Sequence, residues 1–172
     1  MKVLNLFALS LAVALFAGCT KPDASTTIKK LSADDFLPTH AQPKLPTMKI
    51  YLGAETFDAE LALTSEEEMT GMMFRTNIQD SDSMLFVLPV PQRASFWMKN
   101  CPESISCAYI SPDGIILEIH HLEKNDTNAV LSATENIQYV LETSDGWFTR
   151  HHVGVGTAIL SERGSLFRTY FQ

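Results

Sequence analysis

The chain has 172 residues, with 13 basic against 20 acidic side chains, a formal net charge of −7 and 45% hydrophobic residues. An acidic chain without a basic stripe excludes the electrostatic footprint of a nucleic-acid binder and charge-driven docking on anionic lipid. Its length fits one domain of ordinary size with its own core.

The chain opens with Met1-Lys2, an apolar run over residues 3–17, and then Gly18-Cys19. This is the order of a secretory signal: a charged start, an apolar centre and a small-residue site. The run is too short to span a bilayer comfortably, which takes roughly 20 apolar residues. Phe16-Ala17-Gly18-Cys19 resembles the lipobox of bacterial lipoproteins, with Phe16 where that pattern usually has Leu. The alternative is an ordinary signal peptide followed by a chance cysteine. The resemblance implies a lipoprotein signal peptide over 1–18 and lipidation at Cys19. It implies a protein lipid-anchored to a bacterial membrane, in the cell envelope facing the periplasm or exterior. Removing 1–18 takes away the basic Lys2 and leaves 154 residues with a net charge near −8. The lipid must then supply the membrane affinity, and several acyl chains hold where one is marginal.

Residues 19–47 follow as lipidated cysteine and flexible tether, with Pro22, Pro38, Pro43 and Pro46 and no sustained periodicity. A short helix near Ser32, with that serine as cap, is compatible with the sequence. A domain is predicted over 48–163. Residues 48–52 and 56–63 read as two strands joined by Gly53-Ala54. Thr64 or Ser65 caps a helix whose first turn carries Glu66-Glu67-Glu68 and which is predicted to end near Phe74. Residues 83–88 and 95–98 are β-prone. Ser111-Pro112-Asp113-Gly114 is a hairpin turn between strands at 107–110 and 115–121. Residues 139–143 read as a strand, Ser144-Asp145-Gly146 opens a helical turn, and 153–159 closes the sheet. Residues 164–172 are left as a tail. The fold class is mainly β (α+β): a small antiparallel sheet curled into a barrel-like domain with one or two short helices.

Four segments then stand out together: Thr70-Gly71-Met72-Met73-Phe74-Arg75, Met84-Leu85-Phe86-Val87, Phe96-Trp97-Met98-Lys99-Asn100, and Tyr139-Val140-Leu141-Glu142 with Gly156 after it. In this order and spacing the chain resembles the DUF192 (UPF0127) family over roughly 48–161. The resemblance implies a compact β-rich domain with a short helix and brings no established activity. The chain departs from the family pattern at Cys101, at Ser106 in place of an aspartate, at Glu68 in place of an arginine, and at Thr157.

The candidate ligand-binding residues are Arg75, Trp97, Met98, Lys99, Asn100 and Ser106. In a strand over 96–100, Phe96, Met98 and Asn100 would share one face and Trp97 and Lys99 the other. Aromatic walls with an amide and a cation suit a pocket mouth; equally, Trp97 could fill core and Asn100 hold a turn. Arg75 could clamp an anion, pair with Glu142 or cap helix carbonyls. Cys101 and Cys107, in an oxidising compartment, could form a disulfide if 102–104 folds back, since a straight strand would hold them roughly 20 Å apart; otherwise they are buried thiols. Met69, Met72 and Met73 have the spacing of a helical core stripe rather than of a copper site. No phosphate loop, metal-binding helix or nucleophile elbow is present, and neither cofactor nor metal is expected. The leading reading is a lipid-anchored exported binding or accessory domain, with a small molecule or an envelope protein as partner. The others are a hydrolase-like enzyme using Ser106 or a free cysteine, and a structural interaction module.

Overall fold

The computed structural model describes residues 32–172. The expected signal peptide, the lipidation residue Cys19 and the first part of the expected tether lie outside the described residues. The short helix expected after Ser32 is a 3-10 turn, Ala33–Phe36.

The first hairpin forms as its sequence predicts. β1 (Thr47–Leu52) and β2 (Glu55–Ala62) pair antiparallel across Gly53-Ala54. Met48, Ile50 and Leu52 alternate inward along β1, the period-two pattern of a half-buried strand. α1 (Ser65–Thr70) follows, capped by Thr64 and Glu67 in a reciprocal box; such a cap contributes about 1 kcal/mol. The helix stops four residues before Phe74, because Gly71 (φ +45°) and Phe74 (φ +60°) leave the helical region. Met72 and Met73 are therefore buried from a turn, while Met69 of the helix is exposed. The expected methionine stripe is not one helical face.

The eight-stranded sheet has the order β10-β9-β1-β2-β3-β8-β5-β6 and curls into a half-barrel. β3 (Ser83–Gln92), β5 (Ile105–Ile110), β6 (Ile116–Leu122) and β8 (Ile137–Ser144) form its main half. The one departure from the expected antiparallel sheet is β2 against β3, which run parallel with Glu60 opposite Met84 and Ala62 opposite Phe86. A parallel neighbour needs a long crossover, and residues 63–82 with α1 supply it. β4 (Ser95–Phe96) and β7 (Val130–Leu131) form a separate two-stranded ribbon. The strand expected over 95–98 is thus only two residues long; Trp97 and Met98 lie in irregular backbone and Lys99 and Asn100 in a turn. The closing strand expected over 153–159 is β9 (Ile159–Ser161) alone. The expected tail carries β10 (Gly164–Ser165) and α3 (Leu166–Phe171), with Ser165 as N-cap. α2 (Trp147–Arg150) opens after Gly146.

β8 is buried along its whole length, so both faces of the sheet are covered there. One face carries Ile50, Phe57, Leu85, Tyr139 and Leu141 beneath α2 and α3, with Trp147, Phe148 and Leu166 closing it. The other carries Met72, Met73, Met84, Phe86, Met98, Cys101, Cys107 and Tyr109 beneath α1, its following turn and the β4–β7 ribbon. The last residues of the expected tether are held against the domain. The Gln42 amide donates to the Glu67 and Gly71 carbonyls, and Leu45 N–H donates to Glu60 Oε2 at 2.8 Å.

Candidate functional site

A cavity of about 360 Å³ opens on the sulfur-rich face. α1 and its turn supply Glu68, Met69, Gly71, Met72 and Met73. β3 supplies Phe86 and Leu88, the β3–β4 connection Arg93 and Ala94, and the ribbon side Phe96 and Trp97. Ser95 of the ribbon, Cys101 and Glu142 also line it. Phe96 meets Phe86 edge to face at 5.1 Å and stands 6.1 Å from Tyr109. The ribbon is held by Ser132, whose N–H donates to the Ala94 carbonyl while its hydroxyl accepts from Ala94 N–H, both at 2.9 Å.

Glu142 is the unusual member. It sits in the middle of β8, between Met84 of β3 and Cys107 of β5, and is 4% exposed. Its Oε2 has no hydrogen-bond partner. Burial pushes its carboxyl up to about 8, against a smaller downward pull from the Arg75 guanidinium. A buried polar atom left unpaired costs about 1–3 kcal/mol, and such groups in a cleft mark candidate functional sites. Gly71 lets the backbone pass close to the carboxyl. A Cβ there would stand 3.3 Å from Phe86 Cζ and 3.8 Å from Glu142 Oε2, and the backbone at φ +45° strains any other L residue.

Of the residues read from the sequence, Trp97 lines this cavity; Arg75, Met98, Lys99, Asn100 and Ser106 do not. Trp97 is 37% exposed, with Lys99 Nζ 5.6 Å from its ring centre. Met98 is core. Asn100 adopts φ +60°, its carbonyl accepts from Phe74 N–H at 2.7 Å, and its amide lies 4.0 Å from Met73 Sδ. It thereby ties the Gly71–Phe74 turn to the loop after the ribbon. Ser106 accepts from Gly146 N–H at 2.9 Å and so braces the entry to α2. Arg75 takes a partner the sequence reading did not consider. Its guanidinium grips Glu60 with two bonds of 2.6 and 2.8 Å. Burial would raise the Glu60 carboxyl, but bonds from Arg75 and Leu45 outweigh it and hold the carboxyl below its usual value. The pair floors a smaller cavity of about 280 Å³ with Gln42, Lys44 and Asp82.

The disulfide weighed in the sequence is absent: Cys101 and Cys107 are free and buried. Cys107 lies within β5 with Glu142 and His120 as its strand neighbours. Burial, with the Glu142 carboxylate adding, pushes the Cys101 thiol up to about 12 and raises Cys107 too. Such thiols are poor nucleophiles at neutral pH. Among the described residues no three of His, Cys, Asp and Glu gather into a metal-binding group. Glu142 was missed as a site residue because one acidic residue in an apolar strand segment reads as an exposed edge or a salt-bridge partner. The available signal was its position within Tyr139-Val140-Leu141-Glu142, where a carboxylate breaks an otherwise buried run.

The DUF192 family, described as "Uncharacterized ACR", matches residues 48–160. Two solved structures are similar. A protein of unknown function from Novosphingobium aromaticivorans DSM 12444 is 26% identical with a TM-score of 0.64, covering 75% of this chain and 96% of its own. A protein provisionally described as a transcription regulator, from Sinorhizobium meliloti 1021, is 24% identical with a TM-score of 0.66, covering 70% of this chain and 98% of its own. A comparison with curated proteins finds no match. With its sequence matched over well more than half its length and its half-barrel shared with solved structures, the chain belongs to the DUF192 family.

Proposed function

We propose that this protein is an exported, lipid-anchored binding domain that holds a small, partly apolar ligand in the cavity above Glu142. One observation carries the reading: a buried carboxyl with an unpartnered oxygen lines a cavity walled by Phe86, Phe96, Trp97 and three methionines. That volume and that mixture of apolar wall with a few polar groups suit a small-molecule site. The reading keeps Trp97 as a wall and makes Glu142 the anchor. The lipobox-like Ala17-Gly18-Cys19 supports export and tethering.

Methyl NMR of the 19–172 protein titrated with a fragment set is the test for the site. Hits are expected to shift Met72 and Met73 together, and Glu142→Gln is expected to weaken them. A set of hits that all leave these methyls unmoved overturns the reading. Palmitate labelling of the full chain tests the anchor: Cys19→Ala should abolish the label, and equal labelling would refute lipidation there.

A further inference from the structure

We infer that the cavity above Glu142 recognises a protonated amine, with the ammonium directed at Glu142 Oε2 and the apolar body held against Phe86, Phe96 and Trp97. The inference rests on the binding reading above and names the ligand's chemical class. Glu142 Oε2 is a polar atom without a hydrogen-bond partner, buried in the cavity lining. An ammonium brings three donors and the complementary charge.

The charged side chains of the lining are Glu68, Glu142 and Arg93. Arg93 is drawn outward toward Glu135 at 3.9 Å, its own side chain 47% exposed. With Glu142 protonated in the free protein, Glu68 and Arg93 balance, so a ligand carboxylate gains no net attraction from the lining, whereas a cation beside Glu142 is favoured because it holds that carboxyl ionised. The rings of Phe86, Phe96 and Trp97 add faces that attract a cation. A bare divalent cation is a poorer fit, because it needs six or more oxygen ligands. At Gly71 no side chain stands beside the carboxyl, where a Cβ would lie 3.8 Å from Glu142 Oε2, and about 360 Å³ admits a single ring or short alkyl chain.

The proton balance follows. Free Glu142 holds its proton at neutral pH, because burial raises it to about 8. A bound ammonium stabilises the carboxylate, so the proton leaves to solvent and about one is released per ligand. The ionisable groups facing Glu142 do not absorb it. Cys101, Cys107 and Tyr109 are all raised by burial, and Arg75 is raised by Glu60. Glu118 and His120 lie one strand beyond, on β6.

Calorimetry of the 19–172 protein with benzylammonium and with its neutral isostere benzyl alcohol tests this, run in two buffers of different ionisation enthalpy. Benzylammonium should bind at least about tenfold more tightly than the alcohol. It should release close to one proton per ligand at pH 6.5, and at pH 9.5, where Glu142 is already ionised and much of the amine is free base, it should take protons up instead. Glu142→Gln should remove both the preference and the proton release. Ser95→Trp, at the exposed rim of the same cavity, should weaken whatever binds there. If the alcohol binds as tightly as the ammonium and Ser95→Trp weakens both, the amine class is overturned and the cavity stands. If neither probe binds, or Ser95→Trp changes neither, the binding site falls as well.

Discussion

Beneath α2 and α3 the sheet presents branched aliphatic and aromatic side chains, with Met48 the one methionine of that cluster. Across the same strands the other face gathers four methionines and two cysteines around the buried carboxyl of Glu142. The first face is locked by ring contacts: Trp147 stands 4.5 Å from Phe57, 5.4 Å from Phe148 and stacks on His151 at 4.3 Å. The second is covered by turns in left-handed backbone at Gly71, Phe74 and Asn100, and it leaves a cavity. Thioethers adapt to irregular space where branched chains do not. One sheet therefore separates a face built for stability from a face that keeps an unpartnered buried carboxyl beside a cavity.

The sharpest way to break this contrast is to damage each face. Trp147→Ala should cost about 3–5 kcal/mol in urea unfolding, leaving the affinity of any cavity ligand unchanged under conditions where the variant stays folded. A loss below about 1 kcal/mol would show that the closed face is not the stability-bearing one. Arg75→Ala should cost somewhat less, about 3 kcal/mol, because it strands the Glu60 carboxylate, 5% exposed, without its partner. Replacing the pair together with Arg75→Met and Glu60→Gln should recover most of that loss, which thermal melts can read.

Glu142→Gln should act with the opposite sign. The folded state holds the Glu142 proton up to about pH 8, whereas the unfolded chain releases it near 4.5. Folding thus takes up a proton between these values. The carboxyl's contribution is most favourable below pH 4.5 and is lost as pH rises through 8. The wild type should fall behind Glu142→Gln by on the order of 1.4 kcal/mol per pH unit across that window. Parallel denaturation series at pH 5 and pH 8 measure the difference. A gap that stays constant with pH would mean that Glu142 is not held protonated.

Much of the scaffold was legible because it depends on local signals. The β1–β2 hairpin, the Thr64 cap and the Ser111–Gly114 turn follow from alternation, capping and turn residues alone. The parallel β2–β3 pairing was not legible, because it depends on a crossover closing over twenty intervening residues rather than on any residue within the strands. α3 hid behind a short C-terminal segment whose Ser165 cap was the only cue. The site was half legible. Trp97 was found because an aromatic beside a cation and an amide suits a pocket mouth, while Glu142 was not, because its meaning comes from burial by neighbours distant in sequence. Lys99 and Asn100 were grouped with Trp97 by assuming a strand that ends at Phe96.

The smallest expected effect concerns Asn100, which belongs to the cover of the open face rather than to the cavity. Its backbone sits at φ +60°, and its carbonyl receives Phe74 N–H. Asn tolerates that region better than most residues, and Gly better still. Asn100→Ala should therefore cost about 1 kcal/mol through backbone strain, with Asn100→Gly close to wild type. The amide itself contributes little, since its contact with Met73 Sδ is 4.0 Å long. Neither change should alter cavity affinity, because the side chain is outside the lining. If Asn100→Gly loses as much stability as Asn100→Ala, the amide rather than the backbone conformation holds the cover. If either variant weakens a cavity ligand while stability is unchanged, position 100 acts on the site itself, and the division between cover and cavity must be redrawn.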